Sequence, residues 1–169
     1  MNTSTRSRAD VLATAMRIAD LTPPIRYRNG TSFDTDPDVV EDELDCSSFI
    51  GKLCVALGQD PECLIPKATR PGYSQITALG IWLALVDAAS PRPGDLALYI
   101  QNAALTDEHV DQRWHVMLLV DEVTVIGACN IKEVVCRRDL AYAPGEWHLR
   151  GHRRLPFIAD PDDANSSKT

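Results

Sequence analysis

Apolar residues recur at helical spacing near the start of the chain. Val11, Leu12, Ala15, Ile18 and Ala19 share one face, which predicts an amphipathic helix over about residues 8–20. Ser7 followed by Asp10 has the form of a capping box at its start, and Pro23 and Pro24 end it. From Arg28 to Leu44 the chain is polar and acidic, with Asn29-Gly30 and Asp36-Pro37 as turn signals, and it reads as an exposed loop. A second helix opens at Asp45-Cys46-Ser47, carries Phe49, Ile50, Leu53, Cys54 and Leu57 on one face, and stops at Gly58. Pro61 to Gly72 is a connection. Ser74 to Ala88 reads as a third helix despite Gly80, and Ile81 to Val86, the longest apolar run, as its core-facing segment.

The pattern then changes. Pro91-Arg92-Pro93-Gly94-Asp95 is a turn, and Leu96 to Ile100 reads as a strand. His115 to Val120, Val123 to Ala128, Glu133 to Arg138 and Arg150 to Phe157 read as four more. Helices followed by an antiparallel meander give an α+β class, with helices packed on a central antiparallel sheet. A chain of 169 residues fits one domain, expected over residues 1–157, and the charged, small residues of 158–169 read as a disordered tail.

Composition narrows the function. A net charge of −7 argues against nucleic acid as a partner, because phosphate binding needs clustered Lys and Arg, and the one basic stretch, Arg150 to Arg154, is interrupted by apolar residues. No stretch is apolar enough for membrane insertion. Met1 to Arg8 lacks the apolar core of a secretory signal, so synthesis in the cytoplasm is expected, with any substrate outside the membrane reached through another agent. The five cysteines, Cys46, Cys54, Cys63, Cys129 and Cys136, contain no C-x-x-C pair, which is poor spacing for a metal such as zinc. A Cys54–Cys63 or a Cys129–Cys136 bridge is conceivable, and sequence establishes neither.

Cys46 is the cysteine with chemistry around it. It falls in the first turn of its helix, where orphan N–H groups and the helix dipole favour a thiolate, so its pKa is expected to fall. Asp45 is placed to cap the helix. Cys54, on the apolar face, reads as core. A thiolate nucleophile needs an imidazole to shuttle protons. His115 opens the strand His-Val-Met-Leu-Leu-Val, which fixes its direction; His109 lies in a polar loop, and His148 and His152 read as surface residues of a late strand.

Three blocks in order resemble the NlpC/P60 family of papain-like cysteine peptidases. Leu44-Asp45-Cys46-Ser47-Ser48-Phe49-Ile50 is similar to its D-C-S-G-F-V nucleophile motif. Pro93-Gly94-Asp95-Leu96 is similar to its P-G-D-L turn, and His115-Val116-Met117-Leu118-Leu119-Val120 to its H-V-G-I-Y strand. Ile25-Arg26-Tyr27-Arg28-Asn29-Gly30 resembles the family's P-Y-x-x-G-G segment. The match covers roughly residues 8–157. It implies Cys46 as nucleophile, His115 as general base and acid, and backbone near Cys46 with Tyr27 at the oxyanion, with Asp45, Ser47 and Trp114 lining the substrate site. No cofactor or metal is implied. The implied reaction is hydrolysis of peptidoglycan stem peptides at a γ-D-glutamyl–diamino acid type bond. The expected settings are a phage lysin or tail component, or an injected antibacterial effector with an immunity protein as partner.

The chain departs from that pattern in four places. Ser48 replaces a Gly, and Trp114 stands where a small residue precedes the His, which is expected to shape the cleft. The acidic loop before Cys46 is longer. The polar residue that orients the imidazole falls on Gly127, which has no side chain; Asn130, a backbone carbonyl or a water are the substitutes left open. Two alternatives therefore stand beside the peptidase: an amidase, deamidase or acyl transferase using the same Cys–His pair, and a structural or binding domain that has lost the chemistry.

Overall fold

A computed structural model describes residues 5–31, 33–65, 76–101, 113–129, 134–140 and 147–159. The described part is α+β: helices α1 (Arg8–Ala19), α2 (Cys46–Ala56) and α3 (Ala78–Ala84), a 3-10 turn at Pro61–Leu64, and eight strands. The strands are β1 (Arg26–Tyr27), β2 (Glu43–Leu44), β3 (Val86–Asp87), β4 (Leu96–Gln101), β5 (Trp114–Leu119), β6 (Thr124–Cys129), β7 (Val134–Asp139) and β8 (Trp147–Arg154). They form one sheet in the order β2-β1-β7-β6-β5-β4-β8-β3. The expected meander is its centre, β4 to β7. The sheet is mixed rather than purely antiparallel, because β1 and β2 pair in parallel.

The capping box at Ser7 and Asp10 is formed, with Asp10 N–H donating to Ser7 Oγ at 3.1 Å. Val11, Ala15 and Ile18 face the core as the periodicity requires. The third helix is shorter than expected. Thr77 caps it, it ends at Ala84, and Val86 and Asp87 leave it for the sheet edge; Ser74 and Gln75 lie outside the described residues. Its apolar run is not all core, since Leu83 and Val86 are exposed.

The core has two sides. Leu96, Leu98, Val116, Leu118, Ile126, Ala128 and Val135 pack against α1 and α2, while Ala97, Tyr99, Met117, Leu119 and Val125 pack together on the other face with Leu140 and Trp147. Residues 46–55 of α2 are all buried, Lys52 included. The acidic segment before α2 is the reason, and it is more than a loop. It contributes β2, packs Phe33 on Gly51, and receives the Lys52 ammonium at the carbonyls of Asp34 (3.3 Å) and Asp36 (2.7 Å) and at Glu41 (3.5 Å).

Asp95 explains the P-G-D-L turn. Its carboxylate is fully buried, accepts the Arg92 N–H at 2.9 Å, and pairs with Arg8 on α1 (3.0 Å) and Arg154 on β8 (3.1 Å). One carboxylate thus ties the first helix to the last strand. Beyond β8 the chain stays anchored: Ile158 is buried and bridged to Arg6, and Ala159 N–H bonds Arg6 C=O at 3.1 Å, two residues into the stretch expected to be a tail. Residues 160–169 lie outside the described residues.

Candidate active site

Asp45 sets the start of α2. One carboxylate oxygen accepts the Ser48 N–H (2.7 Å) and the Ser47 hydroxyl (2.9 Å), the other accepts the Gly30 N–H (3.1 Å), and Ser48 Oγ accepts the Asp45 N–H (2.7 Å). The residue that replaces the family's Gly thus completes a reciprocal capping box. The side chains of Asp45 and Ser47 are buried in this cap.

Cys46 follows in the first turn. Its sulfur sits among the backbone N–H groups of Val116, Ser47 and Cys46 itself, all of which favour a thiolate. The expected fall in pKa does not occur. Burial, followed by the adjacent Asp45 carboxylate, pushes the thiol up to about 12. A buried anion loses its hydration, and helix-end N–H groups return only part of that free energy.

The sheet explains how Val116 reaches the thiol. β5 pairs with β4 along Leu96 to Ile100, but its ladder with β6 covers only Leu118↔Ile126 and Leu119↔Val125. The start of β5 therefore lies outside the ladder with β6, and its Val116 N–H faces the Cys46 sulfur. The sulfur hydrogen-bonds the peptide joining His115 to Val116, which puts it within one side-chain length of the His115 Cα.

His115 is partly buried. Burial first and the Arg138 guanidinium second hold its pKa down to about 4, opposed by Asp45. Its ring centroid lies 6.3 Å from that of Tyr99 and 5.7 Å from that of Trp147. Tyr99 Oη donates to Leu140 C=O at 3.1 Å. Thiol and imidazole are thus both neutral at pH 7.

Tyr27 is half-buried on β1, beside Leu44, which lies two residues before Cys46. Burial, then Cys46, then Asp45 raise its phenol to about 12, so it stays a hydrogen-bond donor. Trp114 packs its ring on Trp82 of α3 at 5.5 Å, on the helical side of the sheet. His152 is half-buried on β8 and His148 is exposed, as a surface reading of that strand requires. His109 and Asn130 lie outside the described residues.

At the expected orienting position, Gly127 faces Met117, whose Cγ is 3.4 Å from where a glycine Cβ would stand. The sequence reading missed Tyr99, Arg138 and Trp147 around the imidazole. Strand alternation already put Tyr99 and His115 on one face, whereas nothing local in Trp147 pointed there.

Neither conceivable bridge is formed: all five cysteines are free thiols, with Cys54 hydrogen-bonded to Cys63 and Cys129 to Cys136. Among the described residues there is no cluster of side chains suited to a metal ion, and no helix is long and apolar enough to cross a membrane.

No protein-family model and no curated protein matches the chain. Solved structures do. NlpC2 and NlpC1 from Trichomonas vaginalis superpose with TM-scores of 0.54 and 0.53, at 18% and 20% identity, over 89% and 86% of this chain. A lipoprotein-like NLP/P60 family protein from Staphylococcus aureus superposes with a TM-score of 0.56, at 17% identity, over 95% of this chain. The chain spans less than half the length of each, 47%, 44% and 46%. With Cys46 at a capped helix start, the backbone of the His115 strand against it and the P-G-D-L turn at the sheet, the fold of this chain is that of the NlpC/P60 structures.

Proposed function

We propose that the chain is a cysteine peptidase of peptidoglycan stem peptides, with Cys46 as nucleophile and His115 as general base and acid. The observation that carries this is the hydrogen bond of the Cys46 thiol to the peptide that joins His115 to Val116. It supports the reading because it joins the start of a capped helix, which carries Cys46, to a paired strand, which carries His115.

A neutral pair fits the chemistry in this way. The imidazole, unprotonated above about pH 4, takes the thiol proton as sulfur attacks the carbonyl carbon, and returns it to the leaving amine. Water then attacks the thioester with the same base. Backbone N–H groups at the start of α2, with the Tyr27 hydroxyl, would donate to the oxyanion. A polar groove on the β1–β2 side is lined by Arg26 and Arg28, both ion-paired to Glu43, together with Glu41 and Asp42. The γ-D-glutamyl–diamino acid bond, and delivery as a phage component or injected effector met by an immunity protein, are parts of this proposal that rest on the family resemblance.

The test is digestion of purified peptidoglycan, with muropeptides read by mass spectrometry. Wild type should release cut stem peptides, Cys46→Ala none, and His115→Ala at least about 100-fold less. Release unaffected by Cys46→Ala would sink the assignment. Intact peptidoglycan alongside deamidation or acyl transfer on another amide would favour the second enzymatic reading. Glycine at the orienting position and two groups that are both neutral at pH 7 favour a domain without chemistry; intact peptidoglycan together with no deamidation or acyl transfer on any amide offered would support that.

A further inference from the structure

The imidazole has no polar side chain behind it at position 127, yet it is not loose. Tyr99 approaches it from β4 and Trp147 from β8, with interplanar angles of 45° and 54°. Ring pairs at these separations and tilts attract beyond simple burial.

Trp147 reaches this face through an irregularity in the sheet. β4 and β8 pair Leu98 with Gly151 but Tyr99 with Leu149, so Arg150 is an extra residue on β8. In an unbroken ladder Tyr99 would face Arg150, and strict alternation would send Trp147 to the helical side with Gly151 and Trp82. The bulge reverses the facing of every residue before it, and so aims Trp147 at the His115 ring.

The Met117–Gly127 pair completes the picture. The family strand resembled by this chain has Gly where Met117 stands, and a polar residue where Gly127 stands. Here the methionine side chain fills the space an orienting residue would need.

We propose that Tyr99 and Trp147 are the positioning residues of His115: an aromatic clamp, aimed by the Arg150 bulge, holds the imidazole that a polar partner would otherwise orient. The inference rests on the reading of Cys46 and His115 as a catalytic pair, but its structural half stands without it. Among the described residues, the charged and titratable groups that act on the ring are Arg138 on β7, Asp45 before α2, and Tyr99 itself; Cys136 shares a hydrogen bond with Arg138.

The test uses long-range 1H–15N and NOE spectra of the full chain, first in wild type. The His115 ring should show NOEs to both Tyr99 and Trp147, ring-current shifts, and titration far below the ordinary histidine range. Absence of those NOEs overturns the clamp, whatever the enzyme does. In Trp147→Ala the ring should lose its shift and titrate closer to an ordinary histidine, with Trp147→Phe in between. If peptidoglycan is cleaved, the acidic limb of kcat/KM should move to higher pH in Trp147→Ala and kcat should fall about tenfold, a fraction of the roughly 100-fold or more a positioned base supplies. A rise in KM alone would make Trp147 a substrate wall and overturn the positioning role. If Trp147→Ala does not fold, the wild-type NOEs and Trp147→Phe decide. Clamp NOEs without any cleavage would fail the catalytic reading and leave the clamp in place.

Discussion

Met117 and Gly127 face each other across β5 and β6, the methionine Cγ 3.4 Å from the point a Cβ on Gly127 would occupy. The methionine side chain occupies the space beside the glycine. The pair is therefore expected to behave as a unit under mutation.

Gly127→Ala should be close to neutral, since the added methyl meets Met117 at ordinary contact distance. Gly127→His should destabilise by about 1–3 kcal/mol through overpacking. Combining it with Met117→Gly should recover part of that loss. Denaturant unfolding of the single and double variants measures the coupling, and strictly additive effects would refute it.

Asp45 has two separable roles, cap and charge. Asp45→Ala should cost about 1 kcal/mol by losing the cap, and Asp45→Asn much less. Both remove the carboxylate that raises the Cys46 thiol, so alkylation of Cys46 should begin at lower pH in each. The raised Cys46 pKa itself stabilises the fold fully below the unfolded thiol value. That contribution fades as pH rises from about 9 toward about 12, so wild type should lose stability over this window more steeply than Cys46→Ala. An Asp45→Asn protein whose Cys46 alkylates like wild type would remove Asp45 from the electrostatic account.

His115 carries the opposite linkage. Its depressed pKa means the fold prefers the neutral ring, and that stability is present above the ordinary histidine value and lost as pH falls from about 6.5 toward about 4. Wild type should therefore weaken between these pH values more than His115→Gln does, measured as the difference in unfolding midpoint across the window. Parallel curves for the two proteins would contradict the burial assigned to the ring.

Asp95 is expected to be the most sensitive acidic residue in the described chain. Asp95→Ala leaves Arg8 and Arg154 facing an emptied, buried site and should cost about 3–5 kcal/mol, read as loss of cooperative unfolding or a large fall in Tm. A change comparable to that of a surface carboxylate would show that the three-way tie is not structural.

Mild oxidation should couple the four cysteines other than Cys46 in two pairs, Cys54 with Cys63 and Cys129 with Cys136, because each pair already shares a hydrogen bond. Peptide mapping after oxidation decides this, and a bridge that includes Cys46 would contradict it.

Much of this protein was legible in local sequence. Ser7 and Asp10, and Asp45 before Cys46, announce helix starts because a cap is a contact across three residues. The β4 to β7 strands follow from runs of Val, Ile and Leu between turns, and the three motif blocks singled out Cys46 and His115 as candidates. Pairing between distant segments was not legible. The parallel β1–β2 pair, the folding of the acidic segment over α2 and the Asp95 tie join residues many positions apart, and no local period encodes them. The state of the site was also a tertiary matter. Position in a helix predicted an acidic Cys46, but desolvation depends on everything packed around the sulfur, and it outweighs the helix N–H groups. The facing of Trp147 turned on a single extra residue in β8, since strand side chains alternate with period two and one inserted residue inverts all that precede it.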